Sequence, residues 1–155
     1  MTIFYAASHI GALSPQELHA LYKLRVDVFV HEQQCPYQEI DDIDALDTTT
    51  HILVWRTDPQ RHLVGCARVY PEGDHIMMGR IITAPEERGN GQASEMIHQT
   101  LRMIEHRYPG QPVELHAQTR LTGFYERFGF TVSGDPFLEE GISHTPMRRL
   151  PDAPQ

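Results

Sequence analysis

The stretch Arg88-Gly89-Asn90-Gly91-Gln92-Ala93 is flanked by two patterns that fix its setting. Before it, His75-Ile76-Met77-Met78-Gly79-Arg80-Ile81-Ile82-Thr83 is an apolar run closed by Ala84-Pro85, and it reads as a buried strand. After it, Ala93, Ile97, Leu101 and Ile104 recur at helical spacing, which predicts an amphipathic helix. Gly89 and Gly91 allow backbone angles and close approaches that a β-carbon blocks. The amides that follow them open a helix, where unpaired N–H groups and the helix dipole attract anions. Strand, glycine loop and helix in this order predict a pyrophosphate cradle. An ordinary glycine-containing turn is the competing reading of the six residues alone.

Two other phosphate loops do not fit. The Gly-x-Gly lacks the third glycine of a dinucleotide fingerprint, and no acidic residue closes a following strand about twenty residues on. A Walker loop fails because Gly-Lys-Ser/Thr is absent. A second motif, Leu121-Thr122-Gly123-Phe124-Tyr125-Glu126-Arg127-Phe128-Gly129-Phe130, follows the strand-like run Val113-Glu114-Leu115-His116-Ala117-Gln118. Phe124 and Phe128 share one helix face, and Gly129 ends the helix at its C′ position. Taken alone, such aromatic spacing means core filling.

Arg-x-x-Gly-x-Ala, here Arg88 to Ala93, resembles the coenzyme A loop of the GCN5-related N-acetyltransferase (GNAT) family. Phe-Tyr-x-x-x-Gly-Phe, here Phe124 to Phe130, is similar to the segment after that family's fifth strand. Leu24-Arg25-Val26-Asp27-Val28-Phe29-Val30-His31-Glu32-Gln33-Gln34-Cys35-Pro36-Tyr37-Gln38-Glu39-Ile40-Asp41 and Glu140-Gly141-Ile142-Ser143-His144-Thr145-Pro146-Met147 resemble its ElaA-type branch. The resemblance runs from about Leu18 to Arg149. It implies an α/β GNAT fold: a twisted mixed central sheet flanked by helices and splayed open between its fourth and fifth strands. It implies acetyl-CoA as co-substrate, its pyrophosphate on Arg88, Gly89, Asn90, Gly91, Gln92 and Ala93 and its pantetheine arm beside Ile81, Ile82 and Thr83. The Tyr125 hydroxyl would lie near the coenzyme A sulfur. The implied reaction is acetyl transfer to a primary amine of a small molecule or protein, direct within a ternary complex.

That chemistry needs a deprotonated amine, a stabilised oxyanion and an exit for the thiolate. Tyr125 could protonate the sulfur, and a backbone N–H freed near Ile82 could hold the oxyanion. Gly79 and Arg80 could accompany a bulge that opens the sheet. For the base, His116 on the cleft strand could titrate near neutral pH, though a lone strand histidine is more often packed or solvated. Glu32, His144 and Glu114 compete for the role. His31-Glu32-Gln33-Gln34-Cys35 imitates a zinc-protease helix but lacks the second histidine and runs into Pro36, so no metal is expected. Cys35 is followed by proline and reads as a structural or exposed thiol rather than a nucleophile. Arg25 and Arg68 could bind an acidic group or brace the acidic segment, and salt-bridging is the leading reading.

The chain has 155 residues, with 13 Lys and Arg (a single lysine, Lys23) against 21 Asp and Glu, for a net charge of −8. One domain over residues 1–150 is expected, with 151–155 a frayed tail. The acidic balance argues against nucleic acid, which needs basic patches. No run is long enough for a membrane span and no secretory signal is evident, so the expectation is a cytoplasmic protein with Cys35 and Cys66 as free thiols. Expected partners are acetyl-CoA and an amine acceptor, and the chain could pair with a second copy as a homodimer. The acids Glu39, Asp41, Asp42, Asp44 and Asp47 read as a solvated loop, ahead of an amine-recruiting rim.

Along the chain, Ser14-Pro15-Gln16-Glu17 is a capping box opening a helix that runs to about Phe29. Residues Gln33 to Thr50 read as a lid-like segment with a short helical turn. His51 to Thr57 and Leu63 to Tyr70 read as strands joined at Asp58-Pro59-Gln60, with late strands near Phe130 to Val132 and His144 to Arg149. Two other functions compete with acetyl transfer: a non-catalytic acyl-CoA sensor, and a synthase of the acyl-homoserine-lactone type. Tyr125 disfavours the sensor, which needs no acid beside the sulfur. The acidic charge disfavours the synthase, whose acyl carrier protein partner is itself acidic.

Overall fold

The computed structural model describes residues 3–33, 39–139 and 141–151. Helix α1 (Pro15–Arg25) opens as its capping box predicts. Glu17 N donates to Ser14 Oγ (3.1 Å), and Ser14 N donates back to a Glu17 carboxylate oxygen (2.8 Å). The helix does not end near Phe29 but widens into a π-helical segment, Val26–Glu32, where Gln33 N donates to Val28 O at 3.0 Å. The helical turn expected after it is a 3-10 turn at Asp42–Ala45. Cys35 and Tyr37, like Glu140 and the tail from 152 onward, lie outside the described residues.

Among the described residues eight strands make one mixed sheet: β1 (Ile3–Ser8), β2 (Thr50–Arg56), β3 (His62–Glu72), β4 (His75–Thr83), β5 (Val113–Gln118), β6 (Thr131–Val132), β7 (Phe137–Glu139) and β8 (Ile142–Arg149). Their order is β1-β2-β3-β4-β5-β8-β6, with β7 also on β8; β4 and β5 run parallel and the other neighbouring pairs antiparallel. Counting β1, the strand before the glycine loop is the fourth and the strand before Tyr125 the fifth, as the GNAT fold requires. Neither β1 nor β7 is legible in the sequence. The first is a partly buried edge strand and the second is three exposed residues, so neither carries an alternation.

Helices cover both faces. On one, α1 and the π-helical segment bury Leu21 and Val28 against Leu53, Trp55, Leu63, Cys66 and Ile82. On the other lie α2 (Gln92–Arg107) and the short α3 (Thr122–Glu126). There Met96, Ile97, Leu101 and Ile104 pack on Ile52, Val54, Val69, Ile76 and Met78. With both faces covered, all seven residues of β2 are buried.

Strands β4 and β5 are registered only at Ile76↔Val113 and Met77↔Glu114, after which they part. This is the splay. Opposite it, β4 carries the bulge. The β3 register passes from Cys66↔Ile82 to Arg68↔Gly79, and Arg80 takes φ +51°, unusual without glycine. The extra residue switches the strand's faces: Met78 points to the α2 side, Ile82 to the α1 side.

Candidate active site

The splay holds a cleft of about 410 Å³. Its α2/α3 side is uncharged, formed by Met78 and Ile81, by Leu115 and Ala117, and by Leu121 and Tyr125. Period-two alternation along β5 buries Leu115 and Ala117 and turns His116 and Gln118 to the α1 side, where Gln118 Nε2 donates to Gln33 Oε1 (3.3 Å). Ile81 reaches the cleft. Ile82 is buried under α1, so only its backbone edge is available to a ligand, and Thr83 O accepts from Arg88 Nε at 3.3 Å.

The glycine loop is built from the inside. Glu87, itself buried, takes the guanidinium of buried Arg56 in a two-point pair (2.6 Å from Nε), and Asn90 Nδ2 donates to the same carboxylate at 3.0 Å. Asn90 Oδ1 accepts from Gln92 N (3.2 Å), and Gln92 Nε2 donates to the Tyr5 hydroxyl (3.2 Å). Gly89 and Gly91 sit at φ +85° and +83°, and a Cβ at either would meet nothing within 4 Å. The loop's concave side is therefore open space edged by backbone. Helix α2 starts on Gly91 with no side-chain cap bond from it, and its first N–H groups have no acceptor in the helix. These features suit a pyrophosphate. The sequence disclosed the glycines but not the Arg56–Glu87 brace, whose members lie 31 residues apart.

Arg88, the loop's cation, is held by Glu32 at the end of the π-helical segment, at 2.6 and 3.2 Å. The pair keeps the Glu32 carboxyl below its ordinary pKa. Glu32 is thus tied to the loop and does not line the cleft. His116 does line it, its ring edge-on to Phe137 at 5.2 Å. His144 lines it too, Nδ1 2.9 Å from Ile142 O. Glu114 lies away from it, beside His75 (3.2 Å) and Arg148 (3.5 Å). Burial pushes the Tyr125 hydroxyl up to about 12, so it stays protonated, a donor in waiting. Burial likewise raises the Cys66 thiol to about 12, which leaves it unreactive. Among the described residues no group of three or more His, Cys, Asp or Glu could hold a metal ion.

The acidic segment is not a solvated loop. Asp42 and Asp47 are exposed, but Glu39 and Asp44 are buried in an arginine cage. Arg25, 1% exposed, donates Nε to Glu39 Oε2 (2.6 Å) and Nη1 to Asp44 Oδ1 (2.7 Å). Arg68 Nη1 reaches Asp41 (2.8 Å) and Asp44 (3.2 Å), and Arg80 at the bulge reaches Glu39 (3.2 Å) and Asp41 (3.5 Å). Burial opposes the Asp44 charge, yet Arg25 outweighs it and lowers that pKa; burial also lowers the pKa of His51, whose Nε2 lies 3.0 Å from Asp44 O. The bracing role read for Arg25 and Arg68 holds, and Asp41, Arg68 and Arg80 form an ion-paired wall of the cleft.

A mixed sheet parted between its fourth and fifth strands, a glycine loop at the head of the next helix and a buried tyrosine across the gap define the GNAT class. The family profile described as an acetyltransferase (GNAT) domain matches residues 12–151, and the chain belongs to that family. Within it, the chain is similar to the protein ElaA of Escherichia coli, 39% identical over 144 residues that cover 91% of this chain and 92% of that protein. The crystal structure of E. coli ElaA superposes with a TM-score of 0.88 at 37% identity, over 96% of this chain and 99% of that one. An acyl-CoA N-acyltransferase from Pseudomonas aeruginosa superposes at 0.89, with 34% identity over 96% and 99%. A CoA-dependent acyl-homoserine lactone synthase, BjaI, aligns at 0.76 with 17% identity over 95% and 82%, a likeness of fold alone.

Proposed function

We propose that this acyl-CoA-dependent acyltransferase moves an acetyl group from acetyl-CoA to a primary amine, directly and within a ternary complex. The observation that carries the reading is the buried Tyr125 on the uncharged side of a cleft in the splay, together with the open glycine loop that leads from β4 into α2. In this reading the loop amides and Arg88 hold the pyrophosphate, and the parted edges of β4 and β5 hydrogen-bond the pantetheine amides. A backbone N–H of β4 near Ile82 faces the oxygen that becomes negative as the amine nitrogen bonds to the carbonyl carbon. The C–S bond breaks, and Tyr125 gives its proton to the departing sulfur. The proton lost by the nitrogen passes to solvent, with His116 as the candidate relay on the cleft's other side.

Calorimetry with coenzyme A, followed by thiol release from acetyl-CoA across an amine library, tests this. Micromolar-range binding with amine-dependent release is expected, on the scale of ordinary KM values of ~1 μM–1 mM. Binding without release would instead mark an acyl-CoA sensor.

A further inference from the structure

Among the described residues, the charges of the cleft lie on its α1 side, and they are unequally engaged. Arg68, Arg80 and Arg120 line it against Asp41 and Glu139. Arg68 and Arg80 are committed to the acidic cage, and both Asp41 oxygens are taken: Oδ1 accepts from Arg68 (2.8 Å) and Ile43 N (3.1 Å), and Oδ2 faces Arg80 (3.5 Å). Glu139, half exposed at the rim, faces His144 at 3.7 Å. Arg120 differs. Its one hydrogen bond is from Nη2 to the neutral Gln118 Oε1 (3.0 Å), and among the described residues it has no carboxylate partner. Gln118 in turn bonds Gln33, which puts this guanidinium on the face opposite Tyr125. In a chain with 21 acids against 13 basic residues, the described part of the cleft wall thus offers an exposed cation with free donors, while each carboxylate lining it already faces a basic side chain.

We propose that the acceptor is an amine that also bears a carboxylate, which Arg120 receives while the amino nitrogen points through the splay toward the thioester. A guanidinium fork matches a carboxylate at two points and sets its direction. The fit excludes simple alkylamines and polyamines as favoured acceptors. This rests on the acetyltransferase reading above.

The test is thiol release from acetyl-CoA with ω-amino acids and with alkylamines of the same chain lengths, for the native protein and for Arg120→Met and Arg120→Lys. The expected result is a kcat/KM higher for the amino acids by about 10–100-fold, the span of a hydrogen bond to a charged group. Arg120→Met should erase that preference with the acetyl-CoA KM unchanged, and Arg120→Lys should restore part of it. Alkylamines that serve as well or better would overturn the inference and leave the acetyltransferase reading intact. A rise in the acetyl-CoA KM of Arg120→Met, with the acceptor preference kept, would assign Arg120 to the donor and overturn it too. Release with no amine at all would sink both.

Discussion

Tyr125 carries its hydroxyl into a buried place that raises its pKa to about 12 and keeps it protonated as a hydrogen-bond donor. Tyr125→Phe removes that hydroxyl and little volume, so stability and coenzyme A affinity should barely move. General acid catalysis by one positioned group is worth ~10²–10⁴-fold, and a kcat loss of that order at constant acetyl-CoA KM is the expected outcome. An unchanged kcat, where chemistry limits turnover, would reduce Tyr125 to packing. The same scale of detail applies to Glu32, whose partner is the loop cation. A bound pyrophosphate must draw Arg88 away from Glu32 or share it. Glu32→Gln should therefore tighten coenzyme A binding by about 2–5-fold, the span of an exposed ion pair. Weaker binding in calorimetry would mean that the pair holds the loop in shape instead.

Among the elements, the glycine loop is where sequence and geometry meet most directly. Gly91 heads α2 at φ +83° with empty space around the missing Cβ. Gly91→Val forces a β-branched residue into a left-handed backbone and projects a side chain into the cradle. A loss of ~1–3 kcal/mol in stability is expected, together with at least a tenfold loss of coenzyme A affinity in a protein that still folds. Full affinity would remove the loop from the site. This loop, the α1 capping box and the buried strands were legible because each is written in a few consecutive residues. The π-helical extension was not, since its register depends on packing that composition does not encode. Gly79 and Arg80 suggested the bulge, but only the β3 register locates it. The brace behind the loop was illegible for another reason: Glu87→Gln, read from sequence, is a surface change. In the fold it should lower both thermal stability and coenzyme A affinity, because Arg56 and Asn90 lose a shared partner.

Across the whole molecule, acidic pH should act through the arginine cage. The Asp44 carboxyl has a lowered pKa in the folded protein, so its contribution is full above the ordinary Asp value, ~3.9, and is lost as pH falls through the folded one. His51 is also lowered, so its neutral form is favoured in the fold, and stability declines as pH drops below ~6.5. In both cases the unfolded chain binds more protons, and the signs agree. Tm should fall as pH drops below ~6.5 through His51 and fall further below ~3.9 through Asp44, and a Tm that stays flat or rises below ~3.9 would contradict the cage. The cage illustrates why a pass along the chain misread the acids: it joins residues 14 to 41 positions apart, and burial is a property of the assembled sheet. The two-residue seam between β4 and β5 has a mechanical consequence of its own. The molecule is a pair of leaves, β1 to β4 and β5 to β8, joined along that edge by two registered pairs where a full ladder would have more. Amides that face the gap, past Met78 on β4 and past Glu114 on β5, should exchange with deuterated solvent while those of β2 and β3 stay protected. A ligand lying in the gap would act as the missing rung, slowing exchange on both leaves at once and making the protein harder to pull apart.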